Sequence, residues 1–223
     1  MKALRQWSPA VALVLGWNLA LGASAQHIAI PDGFPNGTNT GIATAGLTPG
    51  DLTPSGSLTI TADNTVIENL LVNGNINVKA DNVTIRNTYI NAGLPPGGAH
   101  YGINASFGYT GTLIENVTVL GGRSKSIYGG NMTIRSSNLS GGSDMLHVQS
   151  NVTVEDSWLH DPTWSPGSHN DGIQSTGGSN IIIRRNTIQA LYQTQTSAII
   201  LQTNFSPIDN VLIDSNFMSG GTY

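Results

Sequence analysis

From residue 57 onward, apolar and polar residues alternate in short bursts that share one template, apolar-x-apolar-polar-polar-x-x-apolar. The bursts read Thr65-Val66-Ile67-Glu68-Asn69, Val83-Thr84-Ile85-Arg86-Asn87, Leu113-Ile114-Glu115-Asn116, Met132-Thr133-Ile134-Arg135-Ser136, Val152-Thr153-Val154-Glu155-Asp156, Ile181-Ile182-Ile183-Arg184-Arg185 and Val211-Leu212-Ile213-Asp214-Ser215. The central apolar position recurs at Ile67, Ile85, Ile114, Ile134, Val154, Ile183 and Ile213, with gaps of 18, 29, 20, 20, 29 and 30 residues. Alternation with period two in β-branched segments predicts half-buried strands, and no segment carries a helical stripe.

A unit of about 20 residues that recurs, with some copies expanded by about ten, is the signature of a solenoid with loops inserted at a corner. The pattern therefore predicts an all-β fold, a right-handed parallel β-helix of about seven coils over residues 57–223. Asn or Ser just after the column suits a tight bend, because both tolerate left-handed backbone. A β-sandwich would show hairpin signals at regular spacing and no repeating side-chain template. A second, fainter column precedes each strand: Val78-Lys79, Ile103-Asn104, Ile127-Tyr128, Val148-Gln149, Ile173-Gln174 and Leu201-Gln202. It predicts an outward row of Asn104, Tyr128, Gln149, Gln174 and Gln202. Such a row is either an amide ladder with a backbone role or a strip of partners for sugar hydroxyls.

The first 25 residues have the form of a secretory signal peptide. Lys2 and Arg5 precede the apolar run Pro9 to Leu21, and Ala23-Ser24-Ala25 fits the cleavage rule. Residues 26–56 are expected to form an N-terminal extension or cap. The predicted location is extracellular or periplasmic, with no membrane attachment after cleavage. Only 10% of residues are charged and the formal net charge is −4, which excludes a nucleic-acid partner. The absence of cysteine in an exported chain leaves burial and hydrogen bonding to hold the fold. At the other end, Ser219-Gly220-Gly221-Thr222-Tyr223 repeats the Ser140-Gly141-Gly142 turn. It reads as the start of another coil, so a chain truncated at its C-terminus is expected, the full-length form being a monomer.

The segments Gly33-Phe34-Pro35 and Asn39-Thr40-Gly41, followed by Leu58-Thr59-Ile60 and the coils, resemble the pectin-lyase-like superfamily of right-handed parallel β-helices over residues 30–223. That superfamily implies a polysaccharide substrate, while its fold hosts several chemistries. His169-Asn170-Asp171-Gly172-Ile173-Gln174 is similar to the Asn-x-Asp-Gly segment of polygalacturonases, whose aspartate is a catalytic carboxylate. The likeness makes Asn170 and Asp171 the counterparts. Where that family carries a paired Asp-Asp, this chain has Ser197-Ala198-Ile199-Ile200, and the family's Gly-His-Gly and Arg-x-Lys elements are absent.

Long insertions run from Asn91 to Tyr101, His160 to Asp171 and Gln189 to Ser197, and stacked at one corner they would wall a groove. They would carry His100, Tyr101, His160, Trp164, His169, Asp171 and Tyr192 toward it, beside Arg123, Lys125, Asp144 and His147 from shorter coils. The first expectation is a polysaccharide lyase cleaving a uronic-acid-containing chain by β-elimination. Such a lyase needs a cation for the carboxylate, a base for the C5 proton and an acid for the leaving oxygen. Lys125 or Arg123 could neutralise, His147 or His169 could act as base, and Tyr101 or Tyr128 as acid. The catalytic candidates are His169, Asp171, His147 and Lys125. The substrate-binding candidates are Tyr101, Tyr128, Gln149, Trp164, Asn170, Gln174, Gln202 and Arg123, with Trp164 equally readable as a loop staple between Pro162 and Pro166. Alternative expectations are a glycoside hydrolase using Asp171, or a non-catalytic glycan-binding solenoid. No metal site or cofactor is expected, calcium being the one ion the carboxylates could take, because no short ligand spacing is present.

Overall fold

The computed structural model describes residues 28–93, 98–163, 167–191 and 196–221, so the targeting segment, Trp164 and Tyr192 lie outside the described residues. Each coil contributes three short strands. In one complete coil these are Lys125–Gly129, Met132–Arg135 and Asn138–Ser140. Strands of like position stack into three sheets. The first has eight strands, from Thr53–Ser55 to Phe217–Gly220. The second has seven, from Leu58–Ile60 to Thr196–Leu201, and the third has seven, from Val66–Glu68 to Ile208–Asp214. Every pairing is parallel, and the chain forms a right-handed parallel β-helix. Each coil rises by about 4.8 Å, the spacing of hydrogen-bonded strands.

The predicted column holds throughout. Ile67 pairs with Ile85, Ile85 with Ile114, Ile114 with Ile134, Ile134 with Val154, Val154 with Ile183 and Ile183 with Ile213. From Ile85 to Ile183 the column is fully buried, and with Ile103, Ile127 and Leu146 of the second sheet it forms the core. The residue two after each column position turns the chain out of the third sheet. Asn69, Asn87, Asn116, Ser136, Asp156, Arg185 and Ser215 all have φ between 48° and 55°. Left-handed backbone there suits the Asn, Asp and Ser of six of these coils. A second left-handed corner precedes the third sheet, where Asn180 donates to Asn151 and Asn151 to Asn131 (both 2.8 Å).

One position after the column, facing solvent, the residues are Glu68, Arg86, Glu115, Arg135, Glu155, Arg184 and Asp214. They stand in direct register and alternate in sign from end to end. Arg86 pairs with Glu68, Arg135 with Glu115 and Arg184 with Glu155 at 2.6–2.7 Å. Exposed pairs of this kind contribute at most about 1 kcal/mol each. A one-coil slip would set like charges face to face, so their main effect is to specify register.

Residues 28–42 lie lengthwise along the outside of the first sheet. Gln189 donates to the Ile28 carbonyl (2.9 Å), the Phe34 ring meets Phe217 at 5.7 Å, and the Gly41 N–H donates to the Ser136 carbonyl (2.8 Å). Gly41 is left-handed, and a Cβ there would collide with Thr118. This strap binds late coils to earlier ones before the chain turns through Thr48 and Asp51 into the first strand.

Truncation inside the column should be costly and truncation on its outer face should not. Ile134→Ala is expected to destabilise by about 2–5 kcal/mol, and Val66→Ala, half exposed, by less than about 1 kcal/mol. Equilibrium urea unfolding measures both. Equal losses would mean that the column is not the core.

Candidate active site

The three long insertions all join the first sheet to the second, between Tyr89–Gly93 and Tyr101–Ala105, Trp158–His160 and Asn170–Ser175, and Thr187–Ala190 and Thr196–Leu201. Their described ends therefore fall at one corner, between the first and second sheets. Register within that sheet corrects the expected polar row. Tyr128 pairs with Asn104 and with His147, His147 with Gln174, and Gln174 with Ile200. Gln149 and Gln202 fall two residues beyond the row. The slip has a simple origin: Leu146 and Val148, like Ile199 and Leu201, are apolar residues of the same parity. A pattern of period two does not separate the two registers.

The same register brings Lys125 beside Asp144 and sets Asp144 next to Asp171. Lys125 Nζ and Asp144 Oδ2 form an ion pair. The backbone N–H of Asp171 donates to Asp144 Oδ1 (3.3 Å), and that of Ser197 donates to Asp171 Oδ1 (3.0 Å). Gly172 permits the close approach of the next coil, since a Cβ there would strike the Ala198 carbonyl and the Ile188 side chain. Asp144 and Asp171 are 3% and 2% exposed, and they are the only buried charged residues among those described. Asp171 Oδ2 finds no hydrogen-bond partner among the described residues. Burial pushes the Asp171 carboxyl up to about 6, the Asp144 charge pushes the same way, and hydrogen bonds from Ser197 and the nearby His169 oppose them. With His169, Gln174 and Gln202 these residues line a pocket of about 270 Å³.

A second hollow of about 540 Å³ lies on the same face, beyond Tyr128 and His147. An aromatic file leads into it: His100 meets Tyr101 at 4.4 Å, Tyr101 meets Tyr128 at 5.1 Å, and Tyr128 meets His147 at 5.1 Å. Burial, reinforced by Lys125 and opposed by Asp144, holds His147 below its ordinary value, so the imidazole is neutral near pH 7. Its Nε2 lies 3.2 Å from the Thr176 hydroxyl, and Gln149 donates to the Tyr128 hydroxyl (3.2 Å). Burial also raises Tyr101. The opposite wall carries Phe205, 87% exposed, on a loop anchored by the Phe205 N–H to the Thr176 carbonyl.

Not every candidate arrives at the groove. Arg123, just before the Lys125–Gly129 strand, reaches His100 Nδ1 (3.4 Å). Asn170 is fully buried, donating to the Thr163 carbonyl and accepting from Ser168, so it braces its loop. His160 stacks on Trp158 at 3.5 Å on the first sheet. Thr176 and Phe205 went unread in the sequence, and Ser197 stood there only as a departure from the family's paired Asp-Asp, although counting back from the Ile127–Leu146 pairing would have set Asp144 in the Lys125 row. A hollow of about 550 Å³ on the third sheet is as large, but its one charged residue, Arg135, is already paired in the ladder. Among the described residues no three His, Cys, Asp or Glu gather to hold a metal. Searched against family models, curated proteins and solved structures, the chain matches none.

The raised Asp171 carboxyl predicts a signed pH dependence of stability. Its folded value lies above the ordinary 3.8, so the folded state binds this proton more tightly than the unfolded chain does. Ionisation therefore removes stability as pH rises from about 4 to about 6, by at most about 2–3 kcal/mol. Asp171→Asn should abolish that part of the loss. Thermal unfolding across this range should show the variant gaining on the wild type as pH rises; parallel curves would contradict the shift.

Proposed function

We propose that the protein is a secreted, carbohydrate-active enzyme of the pectin-lyase-like type, cleaving a polysaccharide with Asp171 as general acid. The observation that supports it is a buried carboxyl raised to about 6 beside a second carboxylate, in a groove on a stacked sheet. Two carboxyl groups with separated roles are what glycosidic hydrolysis requires. One donates a proton to the leaving oxygen, and the other assists water or the positive charge developing on the sugar. Asp171 fits the first role, because half of it still carries its proton near pH 6. Asp144, held by Lys125, fits the second.

Hydrolysis accounts for these residues better than β-elimination does. Elimination needs a cation for the substrate carboxylate, and Lys125 is already engaged by Asp144. The elimination reading rests instead on His147, a neutral base candidate beside Tyr128.

The two readings differ in product. Hydrolysis releases reducing ends without a C4–C5 double bond, and the rate should fall above about pH 6 as Asp171 ionises. Asp171→Asn should lower the rate about 10²–10⁴-fold while the variant stays folded by circular dichroism. Unsaturated products, or full activity in Asp171→Asn, would overturn the assignment.

A further inference from the structure

We infer that the groove takes an uncharged glycan, not a uronan, an inference that rests on the second-sheet groove being the substrate site. The census of cations carries it. Beyond residue 27 the chain has Lys79, Arg86, Arg123, Lys125, Arg135, Arg184 and Arg185 and no other Lys or Arg. Arg86, Arg135 and Arg184 are engaged in the charge ladder of the third sheet, and Arg185 pairs with Asp156 and Glu155 at its corner. Lys79 sits over the Phe107 ring, 4.7 Å from its centroid. Lys125 is held by Asp144, and Arg123, exposed just before the Lys125–Gly129 strand, turns its guanidinium to His100 Nδ1 and lines neither hollow.

A uronan presents one carboxylate on every sugar, and each one buried needs a cation or several donors. In the smaller pocket its carboxylate would find the one Lys, Lys125, already held by Asp144, beside the second carboxyl of Asp171. In the larger hollow it would meet no charged Lys, Arg, Asp or Glu at all. That hollow offers the Gln149 amide, the hydroxyls of Tyr128, Ser150 and Thr176, and the open ring of Phe205. Amides and hydroxyls match sugar hydroxyls, and an aromatic ring held in water matches the C–H face of a pyranose. Direct pairing of Tyr128 with His147, and His147 with Gln174, places the two hollows on neighbouring rungs, so one glycan can occupy both.

Affinity electrophoresis of the whole chain tests this, in gels containing β-glucan, xylan, mannan or galactan against gels containing alginate or polygalacturonate. Retardation in at least one neutral gel and free migration in both uronan gels is expected, with little response to added salt. Phe205→Ala and Gln149→Ala, both changes at accessible positions, should each weaken retention about fivefold. Retardation confined to a uronan gel, or in no gel, would overturn the inference. Reducing-end assays on the same polymers separate it from the acid assignment. Retention on a neutral glycan without cleavage would sink the assignment and leave the substrate class standing. Hydrolysis of a uronan would do the reverse.

Discussion

Parallel strands in register, one coil directly above the last, are the constraint on which everything else in this molecule depends. The backbone ladder fixes the spacing at about 4.8 Å, so any residue repeated at one position meets its own equivalents above and below. Apolar repeats become a continuous core from Ile85 to Ile183. Asparagines at the corners become a hydrogen-bonded file. Charges after the column become a ladder that is favourable only because its sign alternates at every rung. The same rule forces Asp144 against Asp171, where the sign does not alternate and both residues are buried. A fold that balances its charges elsewhere leaves one buried like-charge contact, and the groove opens at that contact. Perturbed groups of this kind mark functional sites.

The column and its left-handed corners were legible in the sequence because each position admits few residue types. A buried site between strands needs Ile or Val, and a left-handed bend favours Asn, Ser or Asp. The alternating ladder went unread, although Glu68, Arg86, Glu115 and Arg135 follow the column directly, because its meaning appears only when neighbouring coils are compared. The second sheet was harder to read. Two apolar residues of equal parity flank His147, as they flank Ile200, and hydrophobicity alone does not choose between them. The consequence was a misplaced row, with Gln149 and Gln202 standing where His147 and Ile200 belong. Phe205 carried no signal beyond being an aromatic residue in a polar loop.

Function follows from how the remaining charge is distributed. Cations are spent mostly on the third sheet, while among the described residues the only buried acids, Asp144 and Asp171, line the smaller hollow of the second. His169 and the loop carrying Phe205 line that sheet's two hollows, and the strap of residues 28–42 ties the coils that carry them. On the proposed reading, an extended polymer would lie across several rungs of this sheet while Asp171 acts on it.

The central claim is that burial, with Asp144 stacked beside it, keeps a proton on Asp171 above the ordinary carboxyl range. Carbon-13 NMR of the side-chain carboxyl carbons, with Asp171 assigned by substitution, reads this directly as a titration. A midpoint of about 6 for Asp171, moving down when Asp144 is replaced by Asn, is the result the account predicts. A midpoint near 4 that ignores the Asp144 substitution would contradict it.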